Sequence, residues 1–219
     1  DRLVAFSRPR SLAAEQYRAI RTQLATFSRT TPIRTMAITS ALAGEGKTTT
    51  AANLALTLAQ EVGRRVCLVD ADLRSPQVHT LFGLAPRDGL ADVLRRRAEL
   101  DAALLPTPIN DLWLLTAGHL PPNPAELLGS TAMREVLGRL RDTFDLVVVD
   151  TPPVVPLPDP AILAGLVDGV ALVVLAGRTP RRLVDRALDR LHGATFLGFV
   201  LNATDEFRYY AYYYYNYGT

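Results

Sequence analysis

The stretch Thr35-Met36-Ala37-Ile38-Thr39-Ser40-Ala41-Leu42-Ala43-Gly44-Glu45-Gly46-Lys47-Thr48-Thr49-Thr50 decides the fold. A short β-prone run, Thr35 to Thr39, leads into a turn carrying two glycines and out into a helical pattern over Lys47 to Glu61. A loop that wraps a phosphate needs backbone N–H groups turned inward, which Gly44 and Gly46 permit, and a helix N-terminus facing the anion. It also needs a mobile cation for the outer phosphates and a hydroxyl for Mg²⁺, and Lys47 and Thr48 supply these. Ala41 stands where such loops usually open with glycine, but strand, turn, lysine and helix follow in the required order. Lys47 is also the one lysine among 24 basic residues, so a compact ammonium is kept here while arginine serves everywhere else.

Outward from this stretch, short apolar runs alternate with helical ones. A helix over Ser11 to Phe27, with Ser11 as N-cap, precedes the first strand. After it come runs at Val66 to Val69, Leu112 to Leu115, Leu146 to Val149, Val170 to Leu175 and Phe196 to Leu201, with helical patterns at Thr131 to Leu140 and Arg181 to Leu191. The runs are continuous and β-branched rather than alternating, as in strands covered on both faces. This order predicts an α/β fold with a doubly wound, mainly parallel sheet. In such sheets ligands bind beyond the carboxyl ends of the strands, which turns a linear set of motifs into one site.

Two further strands run into acid. Val66 to Val69 leads to Asp70-Ala71-Asp72-Leu73-Arg74, and Leu146 to Val149 leads to Asp150-Thr151-Pro152-Pro153. A lone aspartate there would read as a strand-ending turn former, but three converging on a phosphate cradle suit metal-assisted phosphoryl transfer. Asp150 fits the role of metal ligand, and Asp70 or Asp72 can share that role and the handling of an incoming hydroxyl's proton.

The last eleven residues hold seven of the eight tyrosines: Tyr209, Tyr210, Tyr212, Tyr213, Tyr214, Tyr215 and Tyr217. A phenol ionises near pH ~10, so these are poor acids or bases at neutral pH but good precursors of nucleophiles. By composition the run reads as a low-complexity, association-prone segment. Beside a phosphate cradle with three acids it reads as substrate. The expected organisation is a domain over 1–202 and a flexible tyrosine-rich tail over 203–219.

The loop, the Asp70-x-Asp72-x-Arg74 segment and the Asp150-Thr151-Pro152-Pro153 segment resemble the Walker A, Walker A′ and Walker B motifs of the bacterial tyrosine kinases. The resemblance runs from about Ser11 to the C-terminus and includes Gly89 to Leu94, Gly118, Asn123 to Leu128 and the tyrosine cluster. It implies a P-loop NTPase of the deviant-Walker, MinD-like type that uses ATP and Mg²⁺ to phosphorylate its own tail tyrosines. Ala43, Gly44, Glu45, Gly46, Lys47, Thr48 and Thr49 would hold nucleotide, with Asn202 near the adenine. Thr48, Asp72 and Asp150 would serve the metal, and Asp70 would accept the tyrosine proton.

The same resemblance implies that Glu15, Arg18 and Arg21 contact neighbouring subunits of a ring, an octamer for instance, in which transfer occurs in trans. Residues three apart otherwise suit a solvated ion-pair face. It further implies work at the inner face of the cell membrane in capsule or exopolysaccharide synthesis and export. A membrane segment or membrane activator and a cognate tyrosine phosphatase would be partners. The competing reading is a nucleotide-switched partitioning or positioning ATPase of the ParA and MinD type. Those switches carry a second lysine early in the loop, where this chain has Leu42.

Composition sets the remaining limits. At 219 residues and 48% hydrophobic the chain suits one well-buried domain, and a net charge of +2 is too small to imply nucleic acid. Cys67 lies within an apolar run and is expected in the core. His79, His119 and His192 share no metal-ligand spacing. No stretch reaches the ~18 apolar residues of a spanning helix. Because the chain begins at Asp1, a targeting or membrane segment is expected to have been removed. Arg95 to Arg97 and Arg178 to Arg190 read as solvated faces, with docking of an acidic partner or anionic membrane as the alternative. Pro152 to Pro160 reads as a stiff nucleotide-responsive loop rather than a polyproline ligand.

Overall fold

In the computed structural model, which describes residues 2–28, 30–109 and 111–204, strands and helices alternate along the chain. The strands are β1 (Thr35–Ser40), β2 (Val66–Asp70), β3 (Leu105–Pro106), β4 (Leu112–Leu115), β5 (Leu146–Asp150), β6 (Gly169–Leu175) and β7 (Phe196–Asn202). The helices are α1 (Val4–Ser7), α2 (Leu12–Phe27), α3 (Lys47–Ala59), α4 (Val78–Leu81), α5 (Leu90–Leu94) and α6 (Leu100–Ala103), then α7 (Pro124–Leu128), α8 (Thr131–Thr143), α9 (Asp159–Ala164) and α10 (Arg181–Arg190). They build one seven-stranded sheet in the order β3-β4-β2-β5-β1-β6-β7. Every pairing is parallel except that of β3 with β4. The short helices α4 to α6 fall in a stretch without clear periodicity, which is why the sequence left it unassigned.

Burial explains the strand sequences. All residues of β1, β2 and β5 are buried, so a continuous apolar run is required of each. Ile38, Leu68 and Val148 face the side covered by α3, while Cys67, Val69, Val147 and Val149 face the side covered by α5 and α8. The core position of Cys67 is as expected, and burial pushes its thiol pKa up. Helix α3 lies close on the sheet because its inward face is largely alanine: Ala51, Ala52 and Ala55 have no exposed surface. At the sheet's edge β7 alternates exposed and half-buried positions instead.

Each strand that carries a predicted acid ends on that acid. Asp70 and Asp150 are the last residues of β2 and β5 and are direct partners in the register, and Asp150 also aligns with Ile38 of β1. The loop after β1 therefore opens between the two acids and β6. Ser11 caps α2 as expected, its hydroxyl accepting from Ala14 N at 3.2 Å. Among the described residues no helix is long and apolar enough to cross a membrane.

Because Leu68 has no exposed surface in a central strand, Leu68→Ala should cost about 2–5 kcal/mol. Equilibrium denaturation should show a lower midpoint with an unchanged slope.

Candidate active site

The loop after β1 has the backbone of an anion cradle. Gly44 and Gly46 have φ of +82° and +93°, where a side chain is strained, and a Cβ on Gly46 would lie 2.2 Å from Asn202 Nδ2. Gly46 then caps the N-terminus of α3, which starts at Lys47. The loop is braced from behind. Glu45, 3% exposed, accepts from Leu42 N at 2.8 Å and from the Thr179 hydroxyl, and its carbonyl accepts from Asn202 Nδ2 at 2.9 Å. Asn202 and the Glu45 carboxylate thus hold the loop's shape, and only the loop's backbone and Lys47, Thr48 and Thr49 face the cleft.

The four charged groups read from sequence do converge. Lys47 Nζ donates to Asp72 Oδ2 at 2.8 Å, lies 3.9 Å from Asp150 Oδ1 and 3.3 Å from the Thr48 hydroxyl. Burial works against the Lys47 charge, but Asp150 and Asp72 outweigh it and raise its pKa. Asp70 is wholly buried and its oxygens are taken by Asp72 N at 3.2 Å and Val78 N at 3.0 Å. Burial, then the Asp150 charge, push its pKa up to about 8 against the Val78 bond. Asp150 is pushed up to about 6 by burial, against the pull of Lys47.

Asp72 lines the cleft together with the loop; Asp70 and Asp150 stand behind it. The cleft measures about 840 Å³, and its far walls come from Arg74, Gln77 and Leu81 on one side and Pro152, Pro153 and Leu157 on another. Arg74 is aimed by a two-pronged pair with the fully buried Asp159, Nε to Oδ1 and Nη2 to Oδ2 both at 3.1 Å. The proline segment is stitched to the end of β1: Val154 N donates to Ser40 O at 2.8 Å, Val155 N to Ala41 O at 3.2 Å and the Thr39 hydroxyl to Pro152 O at 2.8 Å. It is therefore a stiff wall of the nucleotide loop, and with Val154 fully buried it cannot serve as a polyproline ligand.

Other motif residues lie elsewhere. Asp92 ties Gly89, His119 and Arg95 together, accepting from Gly89 N at 3.1 Å and His119 N at 2.9 Å. A Cβ on Gly89 would lie 2.2 Å from Thr116 O, so the Gly89 to Leu94 and Gly118 segments are architecture, not cleft. Glu15 and Arg18 pair with each other on α2, but Arg21 reaches into the chain, to Glu61 at 3.3 Å and Thr57 O at 3.1 Å. The triplet is not one free face. The tail tyrosines lie outside the described residues. Thr179, Asp159 and Asn53 join the site's support without a sequence signal, because each acts on a residue far away in the chain.

The donor set suits a hard cation. Both carboxylate oxygens of Asp150 are buried without a hydrogen-bond donor, and the Thr48 hydroxyl is near enough to favour the Asp150 charge without bonding geometry. Buried, unsatisfied carboxylate oxygens beside a hydroxyl are what Mg²⁺ takes, directly or through its waters.

Comparison with known proteins points the same way. Residues 33–165 match the family model described as an AAA domain. The tyrosine-protein kinase YwqD of Bacillus subtilis is 40% identical over 215 residues, 95% of this chain and 90% of its own. The solved kinase domain of the Escherichia coli tyrosine kinase ETK is 34% identical with a TM-score of 0.87, covering 91% of this chain and 79% of that one. The septum site-determining protein MinD of Pyrococcus horikoshii, solved with Mg-ADP, is more distant: 27% identical, TM-score 0.66, covering 79% and 71%.

Two acids with raised pKa make the fold's stability pH-dependent. The folded state binds their protons more tightly than the unfolded chain, whose carboxylates ionise near ~4, so stability is lost as pH rises from there towards about 8. Without nucleotide or metal, the melting temperature should fall over that range. Asp150→Asn should flatten the fall and melt higher at pH 8, while weakening Mg²⁺-dependent nucleotide binding at least about tenfold.

Proposed function

The chain belongs to the bacterial tyrosine kinase family, and from that premise we propose that its own tyrosine cluster, Tyr209 to Tyr217, accepts the phosphoryl group delivered over Lys47. As a protein-tyrosine kinase it transfers phosphate from ATP to tyrosine. The observation that carries the acceptor assignment is the pairing in one chain of a complete phosphate cradle with seven tyrosines packed into eleven terminal residues. β7 ends at Asn202, which itself holds the cradle at Glu45, so the last described strand ends against the phosphate loop.

The residues divide the work as follows. Backbone N–H groups of the loop at Ala43 to Thr49 orient the phosphates at the N-terminus of α3, and Lys47 neutralises charge growing on the transferred group. Thr48, Asp150 and Asp72 would hold Mg²⁺, which would supply positive charge against the outer phosphates. Asp72 faces the cleft and so is better placed than Asp70 to take the phenol proton as the tyrosine oxygen bonds to phosphorus and the bond to the leaving diphosphate breaks. Asp70 stands behind as the acid that sets the local field and pins Asp72 and Val78.

We further propose that transfer occurs in trans around a ring, with Glu15 and Arg18 at the subunit contact and Arg21 bracing α2 on α3. Each phosphotyrosine adds ~−1.5 to −2, so seven add roughly −10 to −14 and overwhelm the chain's +2. Self-repulsion of that size loosens the ring. The setting is capsule or exopolysaccharide synthesis at a membrane system, with a membrane activator and a phosphatase as partners.

With Mg²⁺ and labelled ATP, phosphate should appear on tail tyrosines, and Lys47→Met should abolish it. Release of free phosphate with an unlabelled tail would favour the switch ATPase instead. Mixing Lys47→Met chains with an active chain lacking its tail should label the inactive chain; absence of that label would mean transfer in cis.

A further inference from the structure

The segment at the chain's start is clamped to the phosphate-loop helix by one buried side chain. Asn53 has no exposed surface; its Oδ1 accepts from Ala5 N at 2.9 Å and its Nδ2 donates to the carbonyls of Arg2 and Thr49, each at 2.8 Å. A buried amide is costly unless its partners are in place, so Asn53 sets the position of residues 2–5 against α3. Ala5, 2% exposed, seals the contact in the core, and Gln60 donates to its carbonyl at 3.3 Å. Helix α3 is the same helix whose first turn forms the cradle.

The clamp bonds the carbonyl of Arg2, and the Arg2 residue lines the cleft beside Thr49, Gln77 and Thr80. The other cations on the wall are already compensated: Lys47 by Asp72, Arg74 by Asp159. Among the described residues no carboxylate pairs with Arg2, which leaves it as the cleft's uncompensated positive charge. A guanidinium is a planar fork that matches phosphoryl oxygens, and it stays charged at any working pH.

We infer that Arg2 is a phosphoryl-binding residue of the cleft, presented by the Asn53 clamp to the oxygens of the bound nucleotide or of a tyrosine already phosphorylated in the incoming tail. The second source rests on the kinase reading above; the first does not. Asn53 is a positioning residue that acts through Arg2, whose carbonyl it holds.

The test uses the full chain with Arg2→Ala and Arg2→Lys. One arm titrates a non-hydrolysable ATP analogue with Mg²⁺; the other measures initial rates on two peptides copying residues 205–219, one unmodified and one phosphorylated at Tyr217. A nucleotide contact predicts about tenfold or greater weakening of analogue binding in Arg2→Ala, partly restored by lysine. A tail contact predicts unchanged analogue binding and a similar loss of kcat/KM for the phosphorylated peptide alone. Asn53→Ser should produce the same defect and add nothing to it in the Arg2→Ala background, whereas a merely structural role would add its loss in both backgrounds. Changes below about twofold in both arms would overturn the inference. A chain with Arg2-dependent analogue binding that labels no tyrosine would sink the kinase reading and leave this one standing.

Discussion

Everything at the cleft depends on a charge balance at the ends of two adjacent strands. Asp70 and Asp150 face each other in register with no exposed surface, Asp72 follows two residues on, and one ammonium, Lys47, answers all three. One cation cannot neutralise three carboxylates, and burial magnifies the shortfall, since an uncompensated buried charge costs several kcal/mol. The protein meets it by keeping protons on Asp70 and Asp150 to higher pH than usual. A divalent cation, held there on the proposed reading, would complete the balance, and without it the site is a weak point of the fold.

Such a site needs stiff surroundings, and they come from parts of the chain remote in sequence. Strands β1, β2 and β5 are covered on both faces, so their ends cannot drift apart without exposing core. The phosphate loop is held from behind by Thr179 and Asn202 through Glu45, the proline wall by the end of β1, and the start of the chain by Asn53. Each brace is a hydrogen bond between buried or half-buried groups, where a missing partner costs more than the bond itself contributes. Preorganisation of the cradle follows from these braces acting on the loop's own Gly44, Glu45 and Gly46.

This division explains what was legible from the sequence. Asp70 and Asp150 end their strands, Asp72 follows two residues on, and Lys47 and Thr48 open α3 after the loop from β1; all are readable because continuous apolar runs mark the strand ends they follow. The strand boundaries missed by one residue because Asp70 and Asp150 still belong to their ladders, which a polarity break hides. Thr179, Asp159 and Asn53 were not legible as parts of the site, since each finds a partner tens of residues away and carries no local pattern. Nor could spacing say that Asp70 is closed off while Asp72 faces the cleft. That difference comes from Val78 N taking Asp70, a contact made by a short helix without periodicity.

The tyrosine run fits this division of labour on the proposed reading. A substrate tethered to its enzyme, or to the neighbouring subunit, meets the cleft at an effective concentration of order millimolar without any recognition surface. The cleft accordingly needs little beyond phosphate chemistry and a few wall residues, and beyond the loop and Asp72 its walls are prolines, leucines, two arginines and the polar Ser75, Gln77 and Thr80. Specificity then lies in the tether and in redundancy, because seven tyrosines at closely spaced positions offer an acceptor in almost any register. Every transfer makes the next approach more anionic. On that reading a positively charged wall would offset the growing charge locally while repulsion between loaded tails would act on the proposed ring as a whole, so the same chemistry would both draw the tail in and end its stay.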